Sequence, residues 1–199
     1  MKKITIIILS ILLALPITLI AQDQYGRWDQ QGATYVNHTY GFAWILDSSL
    51  TWKKTIGSER HTIFLEKNEE LQIIVFVNAQ RYFLDEIGTD IWKQYDVFRN
   101  MYTNLMKKIA DSKDYNYKLK LFEKTRIFGK HAIKIVSISE PKYVNEYSEP
   151  PVTQYIIRTY DHGLAYSINI VVATELDNEM LKNNIHVESL FNGFKFTAN

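Results

Sequence analysis

The chain has 199 residues, with 23 lysines and arginines against 22 aspartates and glutamates, and no cysteine. A balance this close to neutral gives no global field to draw the protein onto nucleic acid or an anionic membrane. The lack of cysteine excludes a disulfide scaffold and thiolate metal sites.

Lys2 and Lys3 precede an unbroken apolar run from Ile4 to Ala14, the pattern of an export signal. Pro16 interrupts the run as a helix, and Ala21 followed by Gln22, Asp23 and Gln24 marks the expected cleavage boundary. Residues 1–21 are therefore expected to be a signal peptide and the remainder periplasmic or secreted. The alternative is an N-terminal membrane anchor, because the stretch from Ile4 to Ala21 is 18 residues long, near the shortest helix that spans a bilayer. After cleavage no stable membrane insertion is expected. With no cysteine at the boundary a lipid-anchored start is excluded. Removing Lys2 and Lys3 leaves 21 basic residues against 22 acidic ones, on a chain long enough to bury a core without crosslinks. An exported domain without disulfides points to a bacterial envelope or secreted protein. In that setting Asn37-His38-Thr39 is an ordinary loop tripeptide rather than a glycosylation site.

Residues 22–34, rich in Gln, Gly and Asp, read as a flexible lead-in to a single α+β domain over 35–199. A first strand is predicted over Tyr40 to Leu46, then a turn at Asp47-Ser48-Ser49 and a charged loop from Trp52 to about Arg60. Strands follow over Thr62 to Glu66 and Leu71 to Ala79, joined across Lys67 to Glu70. The run Ile73 to Val77 is apolar at every position, which predicts an interior strand covered on both faces. Ile91, Tyr95, Phe98, Tyr102, Leu105, Met106 and Ile109 recur at spacings of three and four and predict a helix from Asp90 to Ala110, capped by Thr89 or Asp90. Tyr117 to Ile127 and His131 to Ile138 are predicted strands around Gly129. Thr153 to Tyr160 and Leu164 to Ala173 form a hairpin turning at Asp161-His162-Gly163. A last helix is expected over Asn178 to Phe191, capped by Asn178 or Asp177, before Gly193-Phe194-Lys195-Phe196. Runs of antiparallel strands interrupted by one long helix and closed by another define an α+β domain, an antiparallel sheet flanked by helices on both faces.

The aromatic opening Tyr40-Gly41-Phe42-Ala43-Trp44, the Trp52 after a short turn, and the closing Ser189-Leu190-Phe191-Asn192-Gly193-Phe194-Lys195-Phe196 resemble the PsbP-like proteins over roughly Tyr35 to Phe196. The resemblance implies an α/β/α sandwich and a non-catalytic exported protein that binds or assists a partner. Its motifs report packing rather than chemistry, so it supplies no functional residue.

No Gly-x-Ser-x-Gly string presents a nucleophilic serine, and Gly57-Ser58-Glu59-Arg60-His61 reads as a solvated loop. His38, His61, His131, His162 and His186 show no metal-ligand spacing, so neither a metal nor another cofactor is expected. Glu66, Glu69, Glu70, Glu140, Glu146 and Glu149 are candidates for paired carboxylates, but nothing in their spacing selects a pair. The basic stretch Lys118, Lys120, Lys124, Arg126, Lys130 and Lys134 can meet an anionic surface, although a lysine-protected edge strand is the simpler reading. Nucleic acid is not an expected partner, since no recognition element is present. Tyrosines gather around the proline-containing loop from Glu140 to Val152, and rings of this kind stack on sugars or anchor protein partners. Tyr143, Tyr147 and Tyr155 are therefore the expected contact residues, on a loop running from Ser139 to Tyr155, with an envelope protein or glycan as partner. The competing expectation is an envelope hydrolase acting on glycan or peptide through dispersed carboxylates or histidines.

Overall fold

The computed structural model describes residues 27–28, 34–45, 53–56, 62–68, 71–78, 90–112, 115–143, 150–161 and 163–197. The chain divides into two compact units, residues 1–48 with 193–199, and residues 49–192.

The smaller unit holds an antiparallel sheet of β1 (Arg27–Trp28), β2 (Thr34–Asn37), β3 (Phe42–Ile45) and β11 (Phe194–Phe196), in that order. Asn37 shapes the β2–β3 turn. Its Oδ1 accepts the Tyr40 backbone N–H at 2.9 Å, and Gly41 takes φ 63°, a left-handed conformation open to glycine without steric cost. The register sets Phe194 against Trp44 and Phe196 against Phe42. Phe42 stacks on Phe194 at 5.4 Å between centroids, and Trp44 meets Phe194 edge-on at 5.6 Å, both favourable ring geometries. A Cβ at Gly193 would collide with the Ile45 carbonyl, so glycine is required where the chain enters β11. The aromatic opening and the closing Phe-Lys-Phe are thus hydrogen-bonded neighbours. The sequence reading did not assign β2, and β1 pairs with it from within the stretch read as lead-in. Four residues are too few for alternation to be legible, and pairing with β3 specifies this strand.

The larger unit holds a seven-stranded antiparallel sheet in the order β4 (Lys53–Ile56), β5 (Thr62–Asn68), β6 (Leu71–Asn78), β10 (Leu164–Ala173), β9 (Val152–Asp161), β8 (Lys130–Pro141) and β7 (Tyr115–Ile127). β6 lies inside the sheet, as its unbroken apolarity predicts. β4 falls in the stretch read as a charged loop, where two lysines in four residues hide the strand pattern.

Two helices and a 3-10 segment complete the described elements. The helix predicted from Asp90 begins later, as α1 (Tyr95–Ser112). Asp90 to Gln94 form tight turns, with the Lys93 N–H on the Asp90 carbonyl at 3.1 Å and the Asp90 Oδ1 accepting the Trp92 N–H at 3.0 Å. Ile91, Phe98 and Tyr102 pack on Ile133 and Ile135 of β8 and Ile156 of β9. The helix expected over Asn178 to Phe191 is instead α2 (Thr174–Lys182), followed by a 3-10 helix (Val187–Gly193). The break is a Schellman motif at Asn184, which takes φ 57°. The Ile185 N–H reaches back to the Met180 carbonyl at 2.8 Å and the Asn184 N–H to the Leu181 carbonyl at 3.0 Å. Asp177 is no cap either. The helix starts three residues earlier, and Asp177 is buried on its inner side.

Cross-strand partners share a face of the sheet, because side chains alternate along each strand. Ile133, Ile135, Ile156, Arg158 and Ser167 belong to the face that carries α1. Val136, Tyr155, Ile157, Ile168 and Ile170 belong to the opposite face, on which Tyr155 bonds to α2 and Lys134 to the 3-10 helix. Helices therefore cover both faces, and this unit has the α/β/α arrangement expected from the order of its elements.

Candidate functional site

Four neighbourhoods among the described residues of the larger unit bear on function. The first is where the turn before α1 meets the start of β8. Trp92 lies flat on His131, with centroids 3.6 Å apart and planes 7° from parallel, and Arg126 stands over the Trp92 ring at 5.0 Å. His131 Nδ1 is 2.8 Å from Asp90 Oδ1, and its Nε2 is 3.0 Å from Arg126 Nη2. A guanidinium can only donate, so Nε2 is the acceptor and Nδ1 carries the proton given to Asp90. Both ring nitrogens are thereby engaged, and the hydrogen bond from His131 holds the Asp90 carboxyl below its ordinary value. The arrangement locks the entry of α1 to the sheet.

The second neighbourhood is Arg158, in the middle of β9. It stands opposite Ile133 on β8 and Ser167 on β10, with Tyr160 two residues along on the same face. The side chain is half-buried, and its Nε is sealed from solvent without a hydrogen-bond partner. Burial pulls the guanidinium below its usual range. The Tyr102 and Tyr160 side chains oppose that shift, and among the described residues no carboxylate contributes to it. The same burial pushes the Tyr160 phenol up to about 12. The Tyr102 hydroxyl is 3.2 Å from the Ser137 hydroxyl, and the Asn169 amide points at the Ser167 hydroxyl at 3.4 Å.

The third lies on the opposite face, where Tyr155 donates to both carboxylate oxygens of Asp177, at 3.1 and 2.9 Å. Burial raises the Asp177 carboxyl above its ordinary value, while bonds from Tyr155 and Thr153 pull it back. Lys134 Nζ reaches Glu188 Oε2 at 2.6 Å beside it. This is a satisfied buried polar network, whose role is to seat α2 and the 3-10 helix on the sheet.

The fourth is the outer side of α1. Val97, Met101 and Leu105, spaced four residues apart, are 50%, 52% and 49% exposed. Lys142 Nζ donates to the Ala110 carbonyl at 2.5 Å, so the chain leaving β8 passes the C-terminal end of this helix. Tyr143, the next residue, is 73% exposed. Exposed Lys93, Lys107 and Lys108 share the helix and its entry turn, and Lys118, Lys120 and Lys124 line β7.

Of the expected contact residues, Tyr143 is therefore exposed at the end of β8, Tyr155 is buried with its hydroxyl committed to Asp177, and Tyr147 lies outside the described residues, as does most of their loop. His38 and His186 are exposed, and His61 and His162 lie outside the described residues. So do Glu69, Glu70, Glu146 and Glu149, while Glu140 is exposed. Among the described residues no three metal-ligating side chains come together to hold an ion, and no helix is long and apolar enough to cross a membrane. Sequence reasoning passed over Arg158, although it left a trace as the single charge between Ile156-Ile157 and Tyr160 in a strand of alternating apolar positions. The grouping of Asp90, Trp92 and Arg126 around His131 left none, since Asp90 and His131 are 41 positions apart.

No protein-family model matches the chain, and no curated protein matches it. Solved structures do. Cyanobacterial PsbP from Synechocystis sp. PCC 6803 is 14% identical, with a TM-score of 0.49 over 82% of this chain and 91% of that one. The Ran-binding protein Mog1p of Saccharomyces cerevisiae is 12% identical, with a TM-score of 0.41 over 86% of this chain and 94% of that one. A protein of unknown function from Pseudomonas aeruginosa is 10% identical, with a TM-score of 0.35 over 75% of this chain and 82% of that one. At such identities the likeness transfers no activity.

Proposed function

We propose that this chain is an exported, non-catalytic binding or accessory protein of the bacterial envelope, which grips a protein partner along α1 and the loop after β8. The observation that carries the reading is the exposed line Val97, Met101 and Leu105, on a helix whose other side is committed to the core. Apolar anchors four residues apart are what a helix offers to a protein surface. Tyr143 extends the line at the helix end, and Tyr147 belongs to the same loop. Tyr155 serves as the footing of that loop through its bonds to Asp177. The lysines of α1 and β7 favour a partner whose apolar contact is rimmed by acidic residues. The Lys2-Lys3 pair, the apolar run after it and the boundary at Ala21 support export to the periplasm or beyond.

A photo-crosslinking residue at Met101, at Tyr143 and, as a control, at the exposed Glu179 of α2 tests the reading in envelopes of the source cell. The expected result is one protein captured from positions 101 and 143 and not from 179, released by Met101→Glu and weakened by salt. Equal capture from all three positions, or association with anionic vesicles in place of a crosslinked protein, overturns it. N-terminal sequencing of the protein from a periplasmic extract is expected to begin near Gln22. Recovery in the membrane with residues 1–21 attached would instead make it an anchored protein.

A further inference from the structure

From the setting of Arg158 we infer a second binding site, for a small ligand bearing a single carboxylate joined to an apolar or aromatic body, on the α1 face of β9 and β10. An arginine drawn out of water normally takes a carboxylate with it, because desolvating a charge is costly unless it is paired. Here the guanidinium is half-buried, its Nε–H meets no acceptor, and no acid lies beside it among the described residues. The side chains around it are neutral donors and rings. Ser167 stands directly across on β10, Asn169 is its diagonal neighbour, and Tyr160 follows on the same strand face, with Tyr102 on the helix that covers this face. Asp90, the carboxylate of the turn before α1, is occupied by His131.

The two end N–H groups of a guanidinium form a fork that fits the two oxygens of a carboxylate. One positive charge among neutral donors matches a monoanion better than a phosphate dianion, and the Tyr102 and Tyr160 rings supply an apolar wall for the rest of the ligand. The site does not depend on the partner surface proposed for α1, since it needs none of Val97, Met101, Leu105 or Tyr143.

Sodium benzoate is a suitable probe, with inorganic phosphate as the second arm, read by the Arg158 Nε–H resonance of the full-length mature protein and, in the parent and every variant, by the backbone N–H resonance of Ser167, the cross-strand neighbour of position 158. A saturable shift of that resonance across the millimolar range is expected with benzoate, with the Arg99 and Arg126 resonances unmoved and phosphate weaker. Arg158→Met is expected to lose at least about tenfold in benzoate affinity, the loss of one charge-assisted hydrogen bond, while melting at or above the parent temperature. Tyr160→Phe, which keeps the ring, is a second variant expected to fold and to bind several-fold more weakly. No saturable shift, an equal shift at all arginines, or undiminished binding by Arg158→Met overturns the site. Tighter binding of phosphate than of benzoate overturns the carboxylate assignment. A lower melting temperature for Arg158→Met without a benzoate response in the parent identifies Arg158 as structural and overturns the site as well.

Discussion

On the α2 face of the seven-stranded sheet, Asp177 is buried with Tyr155 donating to both of its carboxylate oxygens. On the α1 face, Arg158 is half-buried with its Nε bonded to nothing. Both faces bury isoleucines, Ile133, Ile135 and Ile156 on one side and Ile157, Ile168 and Ile170 on the other. They differ in what the buried charge is for. Asp177 closes a network that holds secondary structure in place, so its loss is a loss of fold. Arg158 closes no such network among the described residues, so its loss is expected to remove a desolvation cost without unseating a helix.

The sharpest check on this comparison begins with the shared part. Ile135→Ala and Ile170→Ala, one on each face, are each expected to lower the unfolding free energy by about 2–5 kcal/mol in denaturant titrations. A large difference between them would mean that one helix layer is only loosely seated. The contrast itself comes next. Asp177→Ala strands the Tyr155 hydroxyl and is expected to cost about 2–3 kcal/mol, whereas Arg158→Met should stay within about 1 kcal/mol of the parent, on the stabilising side. Equal losses from the two would erase the distinction drawn here.

The pH dependence separates the faces by sign. Asp90 is held below its ordinary value of 3.8 by His131, so its contribution is complete above that pH and fades as the pH falls through the lowered value. Asp177 is raised above 3.8 by burial, so its contribution is complete below that pH and is lost as the pH rises through the raised value. Relative to the parent, Asp90→Asn should therefore lose less stability on acidification below 3.8, and Asp177→Asn should lose less on neutralisation from that point upward. Urea midpoints measured across both ranges would show the two opposite slopes. The smallest effect belongs to the partly exposed pair Lys134 and Glu188, where Lys134→Ala is expected to cost about 1 kcal/mol or less and to shrink in high salt.

Elements long enough to show a period could be read from the residues alone. The apolar run Ile73 to Val77 announced the interior strand β6, and the three-and-four spacing from Ile91 to Ile109 announced α1. β2 and β4 could not be read this way, since four residues offer two alternations at most and their partners supply the rest of the specification. Asp177 illustrates a second limit. Its composition signal as a helix cap is genuine, but Thr174 and Glu175 extend the helix upstream, and the carboxylate turns inward to Tyr155. The polar neighbourhoods were hidden for a related reason. Asp90 meets His131, and Tyr102 meets Ser137, only after the sheet has formed under α1. Tyr143 was legible as an exposed ring because a proline-flanked loop end faces water for local reasons.

The pairing of β3 with β11 also sets an order of events. Phe42 and Trp44 are made early, and the strand that stacks Phe194 between them follows every other described element. The smaller sheet therefore stays open while the chain is being synthesised, whereas all seven strands of the larger sheet are already in hand. A chain built this way carries an unfinished aromatic cluster until its last described strand has been made.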